Sequence, residues 1–189
     1  MNPNKLFFSK DKFIGSKKSF RMVINGSKVS LFTPIIYIPF GIESYNGKHI
    51  LNFEVDTERN NDLYNFYAQI YKIESVLQNL ITPNINTDDE NNETDNELID
   101  ENIKSNHLQI YNLIKGKQFV SCIKNGLKGY LIRSYVNQGI DIKSNNNDFF
   151  SINQTKGKLA KLQIELGNLW IMPDTFGYIL NITEITIMN

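Results

Sequence analysis

The final part of the chain alternates apolar and polar residues with the two-residue period of a β-strand. The alternation runs over 160–166 and again over 176–187, and we predict that Gly167-Asn168 forms a turn before the last strands. Within the last segment the apolar phase shifts by one residue, which predicts a bulge near Thr183 or Glu184. Strands that alternate strictly and then slip in phase are typical of small curled barrels. This feature restricts the fold to a strongly curved or closed sheet.

Two Asn-Gly dipeptides in the first half of the chain predict β-hairpins, because these residues supply the positive φ angles of a type I′ turn. They are Asn25-Gly26 and Asn46-Gly47, and apolar-rich segments flank both. The strands predicted around the two turns are 20–24, 28–32, 35–41 and 49–55. We therefore expect the first part of the chain to consist of strands.

Residues 60–81 change to a three- and four-residue apolar period, which predicts an amphipathic helix. The Asn and Asp side chains at 60–62 can cap its start, and Thr82-Pro83 ends it. A shorter helical stretch is expected near 97–114. Strands are then predicted at 118–123 and 130–136.

Strands on both sides of one principal helix predict a mainly β fold with one α-helix, namely an OB-fold-like small barrel. Residues 1–19 are lysine-rich and predict a flexible basic arm, and 20–189 form the OB-like domain. Within that domain, 83–106 is polar, acidic and aperiodic. Such a segment buries too little apolar surface to offset its ordering entropy, so we expect an acidic disordered insertion.

The net charge of zero conceals an uneven distribution along the chain. Residues 87–101 carry eight carboxylates and no basic side chain, and the remainder holds 20 Lys and Arg against 12 Asp and Glu. Residues 102–161 alone hold ten basic and two acidic side chains. The body of the protein is therefore basic, which favours a polyanionic ligand such as nucleic acid.

Few residues in the chain could support metal or nucleophilic chemistry. The candidates are His49, His107 and Cys122, and no two of them lie at the spacing of metal ligands. Cys122 lies in an apolar strand, where we expect a packed core thiol. Gly15–Ser19 lacks the first glycine and the preceding buried strand of a phosphate-binding loop. We predict no catalytic site, no metal and no cofactor.

Basic side chains interleaved with aromatic ones on strands indicate a surface that binds unpaired nucleic acid. Residues two apart on a strand point to the same face, as Arg133 and Tyr135 do. Cations can neutralise phosphates there while rings stack on bases. The predicted nucleic-acid-binding residues are Lys115, Lys117, Lys124, Lys128, Tyr130, Arg133, Tyr135, Lys143, Lys156, Lys158 and Lys161.

Five segments carry a family resemblance: Leu31–Pro34, Ile38–Ile42, Gly129–Arg133, Leu169–Ile171 and Phe176-Gly177. In this order and spacing they resemble the single-stranded DNA-binding proteins of nucleocytoplasmic large DNA viruses. Those proteins are distantly similar to the phage T7-type single-stranded DNA-binding protein. The resemblance spans most of the chain.

The resemblance implies an OB-fold barrel that coats unpaired DNA during viral replication, recombination or repair, without cofactor or catalysis. Its partner would be single-stranded DNA, with replication proteins and further copies of the same chain as additional partners. The phage-type proteins end in an acidic tail, whereas this chain ends in Thr186–Asn189 and carries its acidic residues internally, at 87–101. We hypothesise that this internal segment competes with nucleic acid for the basic surface.

Two other classes of function stay open. A structural or protein-interaction barrel, such as a virion or replication-complex component, predicts an exposed apolar patch. An RNA-binding OB module would differ through contacts to the 2′-OH. The single cysteine and the lack of a long apolar stretch lead us to expect an intracellular, reducing compartment and no membrane partner. By resemblance this compartment is the viral replication site in the host cell.

Overall fold

The computed structural model of the protein describes residues 6–14, 17–24, 27–80 and 101–188. Twelve strands and two α-helices lie within these ranges. In chain order they are β1 (Leu6–Ile14), β2 (Lys17–Ile24), β3 (Ser30–Phe32), β4 (Ile36–Ile38), β5 (Ile42–Tyr45), β6 (Lys48–Val55), α1 (Asn61–Asn79), α2 (Glu101–Ile114), β7 (Gln118–Val120), β8 (Ile123–Asn125), β9 (Tyr130–Val136), β10 (Ile142–Ser144), β11 (Lys158–Ile171) and β12 (Thr175–Met188). A single 3-10 turn, Ile152–Gln154, precedes β11.

Five of the strands close into a barrel. β4 pairs with β6, β6 with β9, β9 with β12, β12 with β11, and β11 returns to β4. If the five barrel strands are numbered by their position in the chain, their order around the barrel is first, second, third, fifth, fourth and back to the first. The fourth strand thus lies beside the first, which is a Greek key, and the OB-fold is a five-stranded Greek-key barrel. The predicted OB-fold-like small barrel is confirmed.

The helix α1 packs on this barrel through the apolar stripe that its sequence predicts. Asn60 caps the helix, since its side chain accepts a hydrogen bond of 2.8 Å from the backbone N–H of Leu63. The ring of Phe66 lies 6.2 Å from that of Phe53 on β6. The buried apolar residues of the helix are Leu63, Phe66, Ile70, Ile73 and Leu77. Each contributes roughly 1.5 to 3 kcal/mol through burial, so tertiary packing holds the helix in place.

The N-terminal segment differs from the predicted flexible arm. Leu6–Ile14 and Lys17–Ile24 pair as antiparallel strands, and β2 continues the sheet by pairing with β11. Leu6 and Phe8 are buried, so this segment contributes apolar side chains to the core. The edge of β1 is covered by α2, where the side chain of Asn106 bonds both the N–H (2.9 Å) and the C=O (2.6 Å) of Phe8.

One predicted hairpin is confirmed, and of the other only the pair of residues that flank its turn is found among the described residues. Asn46 and Gly47 have positive φ angles (50° and 71°) and join β5 to β6 as predicted. Around 25–26, which lies outside the described residues, the chain makes one bridge between Ile24 and Ser27. No further β2–β3 pairing is found among the described residues. β3 pairs with β11 instead, because β2 already has β1 and β11 as its neighbours.

The predicted turn at Gly167-Asn168 is wrong, and the predicted bulge is confirmed. β11 runs through Gly167-Asn168 as one strand with a register shift there, and the chain reverses after Ile171 instead. A second shift lies where Gln163 pairs with Glu184 but Ile164 pairs with Ile182. Thr183 is therefore the extra residue of a bulge, which bends β12 as the phase slip in the sequence indicates.

The predicted acidic insertion, 83–106, lies largely outside the described residues. Its last six residues, 101–106, form the start of α2, the second helix expected near 97–114. None of the helices within the described ranges is long and apolar enough to cross a membrane. Nor does any group of three or more His, Cys, Asp or Glu among the described residues stand close enough to hold a metal ion.

Candidate nucleic-acid interface

A row of side chains runs across the outside of the barrel from β11 to β8. Leu159 pairs with Tyr37, Tyr37 with Glu54, Glu54 with Leu131, and Leu131 with Lys124. Directly paired residues point to the same side of a sheet, so all five side chains share one surface. We call the outer surface of β4, β6, β8 and β9, with the loops next to it, the barrel face.

Two aromatic rings at the β4 end of the barrel face are open to solvent. Tyr37 is 40% exposed, and its neighbours in β4, Ile36 and Ile38, are buried on the inner side. Phe40 follows β4 in the loop to β5 and is 51% exposed. Both rings line a groove of 690 Å³ between β4 and the β8–β9 loop, together with Ile35, Leu127, Leu131 and Leu159. The groove offers ring faces on which an unpaired base could stack.

Cations border this groove. Arg59, at the start of α1, and Lys128, in the β8–β9 loop, line its wall. Lys124 lies at the end of the cross-strand row, and Arg133 lies two residues beyond Leu131 on the same side of β9. All four are exposed and free to approach a phosphate. Long cationic side chains around an aromatic groove suit a chain of bases and phosphates.

The barrel face extends along β6 to a second pair of a ring and a cation. Tyr135 pairs with Ile50, and the ammonium group of Lys48 lies 5.1 Å from the centre of the Tyr135 ring. Tyr45, on β5, pairs with Lys48 and is exposed. These side chains lie on the same side of the sheet as Tyr37 and Arg133, so the barrel face carries rings at both ends.

Carboxylates lie among these cations and make the charge of the groove mixed. Glu54 lies in the cross-strand row, and its Oε1 accepts a hydrogen bond of 2.9 Å from the backbone N–H of Lys128. Asp56 also lines the groove. Carboxylates repel phosphates but can accept hydrogen bonds from the amino groups of bases. A strand bound here would therefore turn its bases into the groove and its phosphates toward Arg59, Lys124 and Arg133.

The structure brings most of the sequence-predicted residues to or near the barrel face. Lys161 lies on β11, two residues beyond Leu159 on the same side. Lys158 pairs with Ile38, and a Cβ built on Gly41 (φ 79°) would stand 3.1 Å from the Cβ of Lys156, so these two lysines adjoin the Phe40 loop. The predicted residues on the barrel face or in the loops beside it are Lys124, Lys128, Arg133, Tyr135, Lys156 and Lys161, whereas Lys158, the first residue of β11, pairs with the inward-pointing Ile38.

Three predicted lysines lie away from the barrel face. Lys117 donates a hydrogen bond to the backbone C=O of Pro173, before β12 begins, and the ammonium group of Lys115 lies 5.8 Å from the Tyr111 ring on α2. Lys143 lies on β10, beside the far end of β12, with its ammonium group 5.2 Å from the Phe149 ring. At the rise of a strand, the two locations are roughly 35 Å apart along β12.

The remaining predicted residue, Tyr130, turns toward α1. Its ring stacks on that of Tyr67 with 4.2 Å between centres and 17° between planes, and Tyr67 in turn stacks on Tyr71 at 5.9 Å. Burial and the hydrogen bond with Tyr130 raise the pKa of Tyr67 to about 12. One face of the Tyr130 ring is therefore occupied within the protein.

Sequence reasoning did not select five prominent residues of the barrel face, namely Tyr37, Phe40, Lys48, Arg59 and Leu127. A signal existed for two of them. Tyr37 alternates with two isoleucines, so a strand there must turn its ring outward once Ile36 and Ile38 are buried. Phe40 lies between Pro39 and Gly41, and both residue types are disfavoured inside a strand, so Phe40 is expected in a loop. The positions of the other three depend on how the strands pair.

Fold and surface together define the class of protein: an OB-fold-like barrel with exposed rings and cations on the outside of its first three barrel strands. No protein-family model matches the chain, and no curated protein matches it.

Solved structures similar to this one include single-stranded DNA-binding proteins of bacteriophages. The protein of bacteriophage Enc34 is 10% identical, over 95% of this chain and 88% of that one, with a TM-score of 0.48. The structure of that protein in complex with single-stranded DNA is 8% identical, over 95% of this chain and 94% of that one, with a TM-score of 0.46. The gp2.5 protein of bacteriophage T7 is 8% identical, over 86% of this chain and 87% of that one, with a TM-score of 0.48. Similarity at this identity and TM-score supports no argument about function. The functional proposal therefore rests on the residues of this chain.

Proposed function

We propose that the protein binds single-stranded DNA without sequence preference and coats unpaired strands during viral DNA replication, recombination or repair. One observation carries the proposal. The exposed rings of Tyr37 and Phe40 and the half-buried ring of Tyr135 share the barrel face with Arg59, Lys124 and Arg133. The second and third strands of an OB barrel and the loop between its first two strands commonly bind oligonucleotides, and here these are β6, β9 and the segment that holds Phe40.

The arrangement supports binding that tolerates any base. Stacking on a ring contributes roughly 1 to 3 kcal/mol per base and needs only a planar partner. The cations would add an attraction to phosphates that weakens as salt concentration rises. The proposed role involves no catalytic step. In this role the protein would act inside the infected cell, on the same DNA strand as replication proteins.

A fluorescence-anisotropy titration tests the proposal. Labelled oligo-dT, a duplex of equal length and labelled oligo-rU are each titrated with the protein at two salt concentrations. We expect oligo-dT to bind more tightly than the duplex and to weaken steeply in the higher salt. Equal affinity for single and double strands would contradict the coating role. Tighter binding of oligo-rU would indicate an RNA-binding module instead.

A second candidate function is supported by the apolar side chains of the same groove. Ile35, Phe40, Leu127 and Leu159 are all exposed there, as a protein-interaction barrel predicts. Such a protein would show no measurable affinity for any of the three oligonucleotides at low salt. The titration therefore separates the two candidates.

A further inference from the structure

Leu127 stands at the tip of the β8–β9 loop. Its side chain is 99% exposed, the highest value among the exposed large apolar residues of the described chain. Single exposed leucines are common on protein surfaces and need no explanation by themselves. The surroundings of this residue distinguish it from such leucines, because the loop that carries it is fixed and stands between two grooves.

Three contacts fix the loop. The N–H of Gly126 donates to the C=O of Gly129 (2.8 Å), and the N–H of Lys128 donates to Oε1 of Glu54 on β6 (2.9 Å). Gly129 has a φ of 144°, and a Cβ there would lie 2.3 Å from the C=O of Val55, so only glycine allows the loop to approach β6 this closely. The leucine is thus held outward on a rigid support.

Leu127 and Lys128 line two grooves. One is the groove of the barrel face, with Tyr37 and Phe40. The other, of 520 Å³, is lined by the same loop, by Asp56–Glu58 and by Tyr130, whose ring begins the stack with Tyr67. The tip is therefore a ridge between two surfaces that both present aromatic rings.

We propose that Leu127 inserts between two successive bases of the bound strand, where the strand crosses from one groove to the other. The inference rests on the proposed function and adds a defined point at which base stacking is broken. Apolar side chains that enter a base step unstack and kink nucleic acids in this way. Lys124 and Lys128, on either side of the tip, are placed to hold the flanking phosphates while the bases separate.

The test measures base stacking at saturating protein, so that a change in affinity does not disguise the result. Oligo-dA strands carry 2-aminopurine at one central position at a time, and stacking between adenines quenches its fluorescence. On binding the wild-type protein, emission is expected to rise at positions where Leu127 opens a step. With Leu127→Ala the rise should be lost, and affinity should fall about tenfold, as for the loss of one base contact.

Two further variants complete the experiment. Leu108→Ala removes another exposed leucine (60%), on α2 and away from both grooves, and should behave as wild type. Leu127→Met keeps an apolar tip and should retain the rise in emission. Equal emission from the wild-type and Leu127→Ala complexes would overturn the wedge while leaving the proposed function intact. Failure of the wild type to bind oligo-dA and oligo-dT would overturn both.

Discussion

The hydroxyl of Tyr178 on β12 donates a hydrogen bond of 3.0 Å to Oε1 of Glu74, a side chain of α1 that is only 4% exposed. The same oxygen accepts the backbone N–H of Cys122 at 2.9 Å, and Oε2 accepts the hydroxyl of Ser121 at 2.7 Å. The Cys122 sulfur lies 2.8 Å from the Tyr178 oxygen, and since that hydroxyl already donates to Glu74, the thiol must be the donor. One carboxylate thus joins α1 to β12 and to the segment between β7 and β8.

Replacing Glu74 with Ala should lower the free energy of unfolding by about 3 kcal/mol. Three donors would lose their acceptor, and a buried polar group without a partner costs roughly 1 to 3 kcal/mol. Urea denaturation measures the change. Glu74→Gln, which keeps one acceptor oxygen, should lose less, and Glu184→Ala, at an exposed position of β12, should lose almost nothing. A similar loss in the Glu184 variant would contradict a specific role for the buried carboxylate.

Alkaline pH should destabilise the protein through the same cluster. Burial is the main reason that the pKa of Cys122 is raised well above 9.0 and that of Tyr178 well above 10.0. Above pH 9 the unfolded chain therefore releases the thiol proton while the folded protein keeps it, so stability falls as the pH rises. The slope reaches at most about 1.4 kcal/mol per pH unit for one group.

The variant Cys122→Ser isolates the contribution of the thiol. Its free energy of unfolding should decline less between pH 9 and 10 than that of the wild type, because serine does not ionise there. Urea denaturation at a series of pH values measures both slopes. Parallel slopes for the two proteins would show that the thiol does not contribute.

Removal of the barrel-face rings should weaken binding of single strands without unfolding the protein. Tyr37→Ala and Phe40→Ala should each raise the Kd for oligo-dT by about 5- to 150-fold, the equivalent of roughly 1 to 3 kcal/mol for one stacked base. Phe149→Ala is the matched control, because its ring is 72% exposed but lies beside β10, off the barrel face. An equal loss in all three variants would place the strand elsewhere.

The sequence predicted those parts of the fold that local chemistry determines. The Asn46-Gly47 turn and the bulge at Thr183 depend on neighbouring residues, and both are found where expected. The pairing of β3 with β11 joins Leu31 to Ile164, which local turn signals do not encode. For this reason the strands predicted on either side of 25–26 do not pair beyond the bridge between Ile24 and Ser27. Gly167-Asn168 was expected to be a turn, but glycine within a strand can also mark a bulge. A turn and a bulge look alike in sequence at such a dipeptide.

The candidate site could be predicted only in part for a related reason. Basic and aromatic residues were chosen by their spacing along the chain, and spacing identifies one face of one strand. Which faces of several strands adjoin depends on register, which brings Tyr37 into a row with Lys124 across residues far apart in sequence. Lys115 and Lys143 were predicted as members of one set of basic residues, although they lie near opposite ends of β12.

The salt dependence of binding should distinguish the cations of the barrel face from those elsewhere. Each phosphate contact on a single strand contributes about 0.7 to the slope of log Kd against log salt concentration. The double variant Lys124→Ala/Arg133→Ala should therefore reduce the slope by about 1.4. Lys115→Ala/Lys143→Ala removes the same charge from the two ends of β12 and should leave the slope unchanged, although both lysines belong to the set predicted from sequence. Titrations of oligo-dT across a salt series measure both. If the second pair reduced the slope as much as the first, the strand would have to pass along β12 to reach both lysines, and the barrel face would be only one part of a longer path.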